Sequence, residues 1–84
     1  MELRTLIEET YMEVLESSGL KLAVPALRDD TVLLASGLDS LGFAILVARL
    51  EEALGYDPFI ELGQAVYPTT YGEFVAIYER ARRP

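Results

Sequence analysis

Residues 39–55 read DSLGFAILVARLEEALG, and this segment is the most informative part of the chain about its fold. Apolar side chains recur in it every three or four residues, which is the spacing that places them on one side of an α-helix. Asp39 and Ser40 are both favourable N-cap residues, and Gly55 is a residue type that commonly follows a helix. We therefore predict a helix that begins at Asp39 or Ser40 and runs to about Leu54.

Two apolar stripes run along this predicted helix. The stripe expected to face the core consists of Leu46, Val47, Leu50 and Leu54. The second stripe, which we call the side stripe, consists of Leu41, Ala44, Ile45 and Ala48. Because the first stripe already supplies a core face, the side stripe is expected to be mostly exposed and to contact partners, with Ile45 as the main contact residue. Plain core packing of the side stripe is the alternative.

The flanking sequence predicts three more helices. Apolar residues at helical spacing indicate a first helix over residues 2–18 with an acidic outer face. Asp57-Pro58 is typical of a helix start, so a short helix is expected over residues 59–65. Thr70 and Glu73 have the spacing of a capping box. The helix that they begin is expected to continue to a basic end at Arg80, Arg82 and Arg83.

A long connection, residues 19–38, separates the first helix from the second and shows neither helical nor strand periodicity. Five apolar residues are expected to anchor it against the helices, and a short helical turn within it is compatible with the sequence: Val24, Leu27, Leu33, Leu34 and Leu38. The predicted fold is therefore all-α, a four-helix bundle of three main helices and one short helix. It is expected to form a single domain over residues 1–84.

Composition excludes several classes of function. The 84 residues include neither cysteine nor histidine, which removes disulfides, thiolate chemistry, imidazole bases and nearly all zinc or haem ligation. A net charge of −7 disfavours binding to nucleic acid or to anionic membranes and favours basic protein surfaces. With no signal peptide pattern and no apolar run long enough to span a membrane, we expect a soluble, cytoplasmic protein.

One motif is not required by a helical bundle. Gly37-Leu38-Asp39-Ser40-Leu41 places a hydroxyl beside a carboxylate at the start of a helix. A helix N-terminus favours phosphate, because its unpaired N–H groups and the positive end of its dipole point outward. A simple helix cap is the alternative reading of Asp39-Ser40. A hydrolase that uses Ser40 is excluded, since the chain has no histidine to activate the hydroxyl.

Residues 30–54 resemble the core signature of acyl and peptidyl carrier proteins. The order of an acidic first helix, a long loop, an Asp-Ser-Leu helix with a Glu-Glu pair near its end, and a final Pro-x-Thr helix resembles that family over nearly the whole chain. The resemblance implies a carrier-protein bundle in which Ser40 bears a covalent 4′-phosphopantetheine arm, derived from coenzyme A and joined through a phosphodiester.

The resemblance also implies roles for residues around Ser40. Asp39 would be the acidic neighbour that the phosphopantetheinyl transferase and its metal ion recognise, and Leu41 would be an apolar contact beside it. The face that partner enzymes read would comprise Ala44, Ile45, Ala48, Glu51 and Glu52. For the two glutamates, a solvated helix end is the alternative.

Three residues depart from the pattern of fatty-acid carriers. Gly42 stands where many members have an acidic or polar residue, which predicts a looser first turn or a partner at close range. Ile45 replaces a usual glutamate and Arg49 adds a positive charge, so the recognition helix is more apolar and less acidic. These departures favour a dedicated pathway in which an adenylate-forming ligase loads the arm.

The resulting hypothesis is a monomeric, non-catalytic carrier without a metal site. It would hold an acyl or aminoacyl group as a thioester and present it to its loading ligase and to downstream transferases. Tethering raises the effective concentration of the cargo at each partner. The alternative is an unmodified acidic helical interaction module on a carrier-like scaffold.

Overall fold

The computed structural model describes residues 2–61 and 68–81, and these form four α-helices. The helices are α1 (Leu3–Ser17), α2 (Ser40–Leu54), α3 (Pro58–Glu61) and α4 (Tyr71–Ala81). Within the described ranges no β-strand occurs, and one isolated antiparallel bridge pairs Val32 with Thr70. The predicted all-α bundle of three main helices and one short helix is confirmed.

Helix α1 buries one side, as its apolar spacing predicts. The buried residues on this helix are Leu3, Ile7, Thr10, Tyr11, Val14 and Leu15. Thr10 is the polar residue in this set, and its hydroxyl has a hydrogen-bond partner within the helix because it donates to the Leu6 carbonyl oxygen at 2.7 Å. The acidic residues of α1 lie on the exposed side. Helix α1 therefore supplies one wall of the core.

Helix α2 has the predicted bounds, and its core face is wider than predicted. Leu46 and Leu50 are fully buried at its centre. Ile45 and Val47 lie about 100° to either side of Leu46 on the helix and are half-buried against the same core. The side stripe is exposed at its other three residues, as predicted, whereas Ile45 itself is half-buried because the core reaches around this side of α2.

The later helices begin at the predicted caps. The Phe59 N–H donates to Asp57 Oδ1 at 2.9 Å at the start of α3. At the start of α4, the Glu73 N–H donates to Thr70 Oγ1 at 3.2 Å, while the Thr69 N–H donates to Glu73 Oε2 at 2.7 Å. Residues 62–65 of the predicted short helix, and the basic residues at positions 82 and 83, lie outside the described residues.

Aromatic rings fill the core between α2, α3 and α4. Phe74 lies at their centre, fully buried, and the Phe43 ring packs edge-on against it with centroids 5.2 Å apart. Phe59 and Tyr78 complete the contacts around Phe74, at 6.2 and 5.1 Å. The Phe43 and Tyr78 rings meet Phe74 edge-to-face and the Phe59 ring lies nearly parallel to it, and such aromatic pairs add to the stabilisation that apolar burial provides. This cluster fixes the side of α2 that bears Phe43.

The long connection is tied to the start of α4 by backbone hydrogen bonds. The Leu33 N–H donates to the Thr69 carbonyl oxygen at 3.0 Å, and the Tyr71 N–H donates to that of Thr31 at 2.8 Å. Leu33 and Leu38 are buried anchors, as predicted, whereas Leu34 is 76% exposed. The prediction for Leu34 is wrong because both leucines belong to one 3-10 turn, Leu33–Ala35, in which adjacent side chains point apart.

Candidate functional site

The start of α2 is fixed by Asp39. This residue is extended, with φ −83° and ψ 179°, and its Oδ1 accepts the Gly42 N–H at 2.7 Å. The first intrahelical bond runs from the Phe43 N–H to the Asp39 carbonyl oxygen at 2.9 Å. The N–H groups of Ser40 and Leu41 have no intrahelical acceptor at this helix end. The cap reading of Asp39 is thus correct, and Ser40 is the first residue inside the helix.

The Ser40 side chain is the exposed hydroxyl at this helix end. Among residues 2–61 and 68–81, its hydroxyl makes no hydrogen bond. Ser36, four residues earlier, is fully buried and donates to the Leu33 carbonyl oxygen at 2.6 Å. Burial and hydrogen bonding therefore close Ser36 to any enzyme and leave Ser40 accessible.

The residues before Ser40 are held by close contacts. Gly37 has φ +119°, and a Cβ at this position would collide with the Lys21 carbonyl oxygen. Leu38 is buried, and its Cδ1 lies 2.7 Å from where a Cβ of Gly42 would be. A side chain at Gly42 would have to displace the Leu38 side chain, so the packing of Leu38 favours glycine at this position.

The residues predicted to form a recognition face do not all share one environment. Leu41 is 70% exposed, and Ala44 and Ala48 are exposed at positions three and seven residues further along the same side of α2. Ile45 is half-buried between this side and the core. The structure thus brings Leu41, Ala44 and Ala48 together.

Glu51 and Glu52 are exposed at the other end of α2. Glu52 and Arg49 line a groove of about 350 Å³ shared with α1, whose wall includes Glu9 and Glu13. This groove has no lining residue in common with the surroundings of Ser40. Glu51 and Glu52 follow Ala48 by three and four residues, so the glutamate pair continues, at its far end, the exposed side of α2 that begins at Leu41.

An apolar pocket of about 370 Å³ opens beside Ser40, and we call it the Ser40 pocket. Its lining residues are Leu33, Leu34, Ser40, Phe43, Ala44 and Pro68. No motif in the sequence marks Leu34, Phe43 or Pro68 as a site residue. The adjacent Leu33 and Leu34 were one available signal, because two neighbouring leucines in a short turn cannot both face the core.

A family model described as a phosphopantetheine attachment site matches residues 3–62, which is more than half of the chain. The chain belongs to the family of acyl and peptidyl carrier proteins. Searches of curated proteins and of solved structures found no match. The family match includes α1, the long connection and all of α2. The protein is therefore a phosphopantetheine carrier, and the resemblance inferred from residues 30–54 is confirmed.

The residues at the start of α2 fit the cofactor of this family, a covalent 4′-phosphopantetheine. The Ser40 hydroxyl is exposed and has no hydrogen-bond partner among the described residues, so its oxygen is available to form a phosphodiester. The positive end of the α2 dipole would stabilise its negative charge. In the part of the chain that the structure describes, no group of three acidic residues is arranged to hold a metal ion. No helix there is both long and apolar enough to cross a bilayer.

Proposed function

We propose that Ser40 is the attachment residue of this carrier protein. The observation that supports this assignment best is the contrast in accessibility between Ser40 and Ser36. Both lie within the matched region, but only the Ser40 hydroxyl is exposed and without a partner among the described residues. Its place as the first residue of α2 also gives the attached phosphate the favourable end of the helix dipole.

The attachment step transfers phosphopantetheine from coenzyme A. Ser40 Oγ attacks the pyrophosphate phosphorus that bears the pantetheine, and a new P–Oγ bond forms. The bond from that phosphorus to the bridging oxygen breaks, and adenosine 3′,5′-bisphosphate leaves with the electron pair. The hydroxyl proton goes to a base of the transferase, because this chain has no histidine and its one lysine, Lys21, is exposed.

Asp39 has two roles in this proposal. Its Oδ1 holds the first turn of α2 through the Gly42 N–H, which fixes the backbone at Ser40. Its carboxylate is also exposed next to Ser40, where it would meet the metal ion and basic groups that the transferase uses to bind a pyrophosphate. The first role concerns folding and the second concerns recognition, so substitutions that keep the cap can separate them.

Once attached, the arm ends in a thiol that holds the cargo as a thioester. The chain itself is one domain over residues 1–84 that presents the cargo to partner enzymes and supplies no catalytic group. The exposed Leu41, Ala44 and Ala48 form an apolar contact for partner enzymes, and the half-buried Ile45 contributes the edge of its side chain. A net charge of −7 favours partners with basic rims around an apolar centre.

The loading partner in this proposal is an adenylate-forming ligase, which activates an acid with ATP and transfers the acyl or aminoacyl group to the arm. The apolar character of the exposed side of α2 supports a dedicated partner, because the family's fatty-acid carriers usually have a glutamate where Ile45 stands. Glu51 and Glu52 would add a charged contact at the far end of the helix. The predicted monomeric state and cytoplasmic location are part of the same proposal.

Incubation with coenzyme A, magnesium and a broad-specificity phosphopantetheinyl transferase tests the attachment residue. Intact-mass spectrometry should show the gain of one phosphopantetheine group in the wild type. The gain should also appear in S18A, which removes another exposed serine, and it should be absent in S40A. Partner binding that is equally strong for wild type and S40A would instead favour the unmodified interaction module.

A further inference from the structure

The Ser40 pocket lies on the same side of α2 as the proposed attachment residue. Phe43 and Ala44 follow Ser40 by three and four residues, which places all three on one side of the helix. Leu41, one residue after Ser40, points about 100° away and does not line the pocket. An arm on Ser40 therefore begins at the edge of this pocket.

The walls of the pocket are fixed to one another. Leu33 on the connection is joined to the segment before α4 by the hydrogen bond from its N–H to the Thr69 carbonyl oxygen, at 3.0 Å. Phe43 on α2 is held by the buried Phe74 ring, 5.2 Å away between centroids. Two of the residues that bound the pocket of about 370 Å³, Leu33 and Phe43, are thus held in place by contacts of the packed bundle.

The residues that line the pocket favour binding of an apolar group. Among the described residues that line the pocket, all except Ser40 are apolar, and Leu34 forms an outer lip that is 76% exposed. Exposed apolar surface next to a pocket is typical of a contact site. The group that fits must be apolar and must be within reach of the Ser40 oxygen.

The covalent structure of the arm contains one such group. The carbon that bears the gem-dimethyl pair is joined to the phosphate through a single oxymethylene, so it stays close to Ser40 whatever the torsion angles are. The hydroxyl and the amides that follow are polar, and the thioester cargo lies beyond them at the far end. Connectivity therefore places the gem-dimethyl group, and not the cargo, beside the pocket.

We propose that the Ser40 pocket binds the gem-dimethyl group of the phosphopantetheine arm, with Phe43 as its floor and Leu34 as its lip. The inference rests on attachment at Ser40 and extends it, because it gives the arm a binding site on the carrier itself. Binding here would direct the first part of the arm away from Leu41, which then remains available to partner enzymes.

Nuclear magnetic resonance of the holo protein tests this site. With isotope-labelled protein and an unlabelled arm, filtered spectra should show nuclear Overhauser effects from the arm methyls to the Phe43 ring and the Leu34 methyls. The arm methyls should also shift upfield relative to coenzyme A, because they lie over an aromatic ring. Methyl shifts equal to those of free coenzyme A, with no Overhauser effects to the pocket, would overturn the proposal.

Two variants, F43L and L34S, and one control variant, L41S, make the assignment specific. F43L should abolish the upfield shift while the effects to Leu34 remain. L34S should lose the Overhauser effects between the arm methyls and residue 34. The matched control is L41S, because Leu41 has a similar exposure and does not line the pocket. This control should keep every signal of the bound methyls. Equal loss in L34S and L41S would count against the pocket. Both leucines are exposed, so neither variant removes core packing.

Two further results distinguish a failure of the pocket proposal from a failure of the proposed attachment at Ser40. If the transferase adds no mass, the proposed function fails and this inference fails with it. If holo protein forms but a short acyl group on the thiol displaces the arm methyls and shows the contacts to Phe43, the pocket is a cargo site and the inference alone is wrong. Contacts of the arm methyls that persist after acylation support it.

Discussion

The Tyr11 hydroxyl of α1 forms a buried hydrogen bond with the Ser36 hydroxyl, 25 residues further along the chain. Ser36 donates its own proton to the Leu33 carbonyl oxygen, so Tyr11 is the donor in this pair. The bond joins α1 to the end of the connection, one residue before Gly37 and four before Ser40. The position of the proposed attachment residue relative to α1 therefore depends on a polar contact inside the core.

Removing either hydroxyl of this pair should destabilise the protein to different extents. Y11F leaves Ser36 bonded to Leu33 and should cost about 0.5–1.5 kcal/mol. S36A leaves a buried phenol hydroxyl without its acceptor and should cost about 1–3 kcal/mol. Urea denaturation followed by circular dichroism measures both.

The double variant Y11F/S36A provides the control for this prediction. It should be no less stable than S36A alone, because the orphaned hydroxyl is gone. Additive losses in the double variant would show that the hydrogen bond is not the source of the effect.

Substitution of Asp39 should separate the cap from recognition by the transferase. D39A removes the acceptor of the Gly42 N–H and should cost about 1 kcal/mol of unfolding free energy. D39N keeps an acceptor oxygen and should stay within about 0.5 kcal/mol of the wild type. If the charge serves the transferase, D39N should still lower kcat/KM for phosphopantetheinylation. A wild-type rate in D39N would restrict Asp39 to its role as a cap.

Gly37 should be far less tolerant of substitution than Gly19. Both have positive φ, +119° and +71°, but a Cβ at Gly19 meets nothing within 4 Å, whereas one at Gly37 meets the Lys21 carbonyl oxygen. G19A should cost about 1–2 kcal/mol from backbone strain alone. G37A adds a collision with backbone, so its melting temperature should fall further than that of G19A, at roughly 4–8 °C for each kcal/mol lost in a domain of this size. Equal melting temperatures for the two variants would contradict the contact.

The protein should lose stability in alkali because of its buried tyrosines. Burial, with a smaller contribution from Glu8, raises the pKa of Tyr71 from 10.0 to about 12, and burial also raises the pKa of Tyr78. Between about pH 10 and about pH 12 the unfolded chain has released the Tyr71 proton while the folded protein keeps it, so the unfolding free energy falls as pH rises. Below about pH 10 this phenol has no effect on the pH dependence.

Denaturation at a series of alkaline pH values measures this loss of stability. The unfolding free energy of Y71F should decrease less steeply than that of the wild type over the same pH range, because one of the phenols with a raised pKa is absent. A decrease of the same slope in Y71F would mean that Tyr71 ionises in the folded protein as readily as in the unfolded chain.

Features that depend on neighbours in sequence could be predicted. Asp39 and Gly55 fixed the bounds of α2, and Thr70 with Glu73 fixed the start of α4, because caps act over three or four residues. The site followed from the same local information, since an Asp-Ser pair at a helix start is a short motif. Its family surroundings then connected it to phosphopantetheine.

Features that depend on long-range packing could not be predicted. The exposure of Leu34 and the partial burial of Ile45 follow from how the connection and the core pack around α2, which periodicity does not encode. The buried Tyr11–Ser36 bond and the contact between Gly37 and Lys21 join residues distant in sequence. Pro68 reaches the Ser40 pocket only because the connection is bonded to the start of α4.

Attachment of the arm to Ser40 can be tested at the level of the single residue. The most direct test is tandem mass spectrometry of a proteolytic peptide from the holo protein that contains both Ser36 and Ser40. The fragment ions should place the added mass on Ser40 and leave Ser36 unmodified. Added mass on any other residue, or a holo form that still appears in S40A, would contradict it.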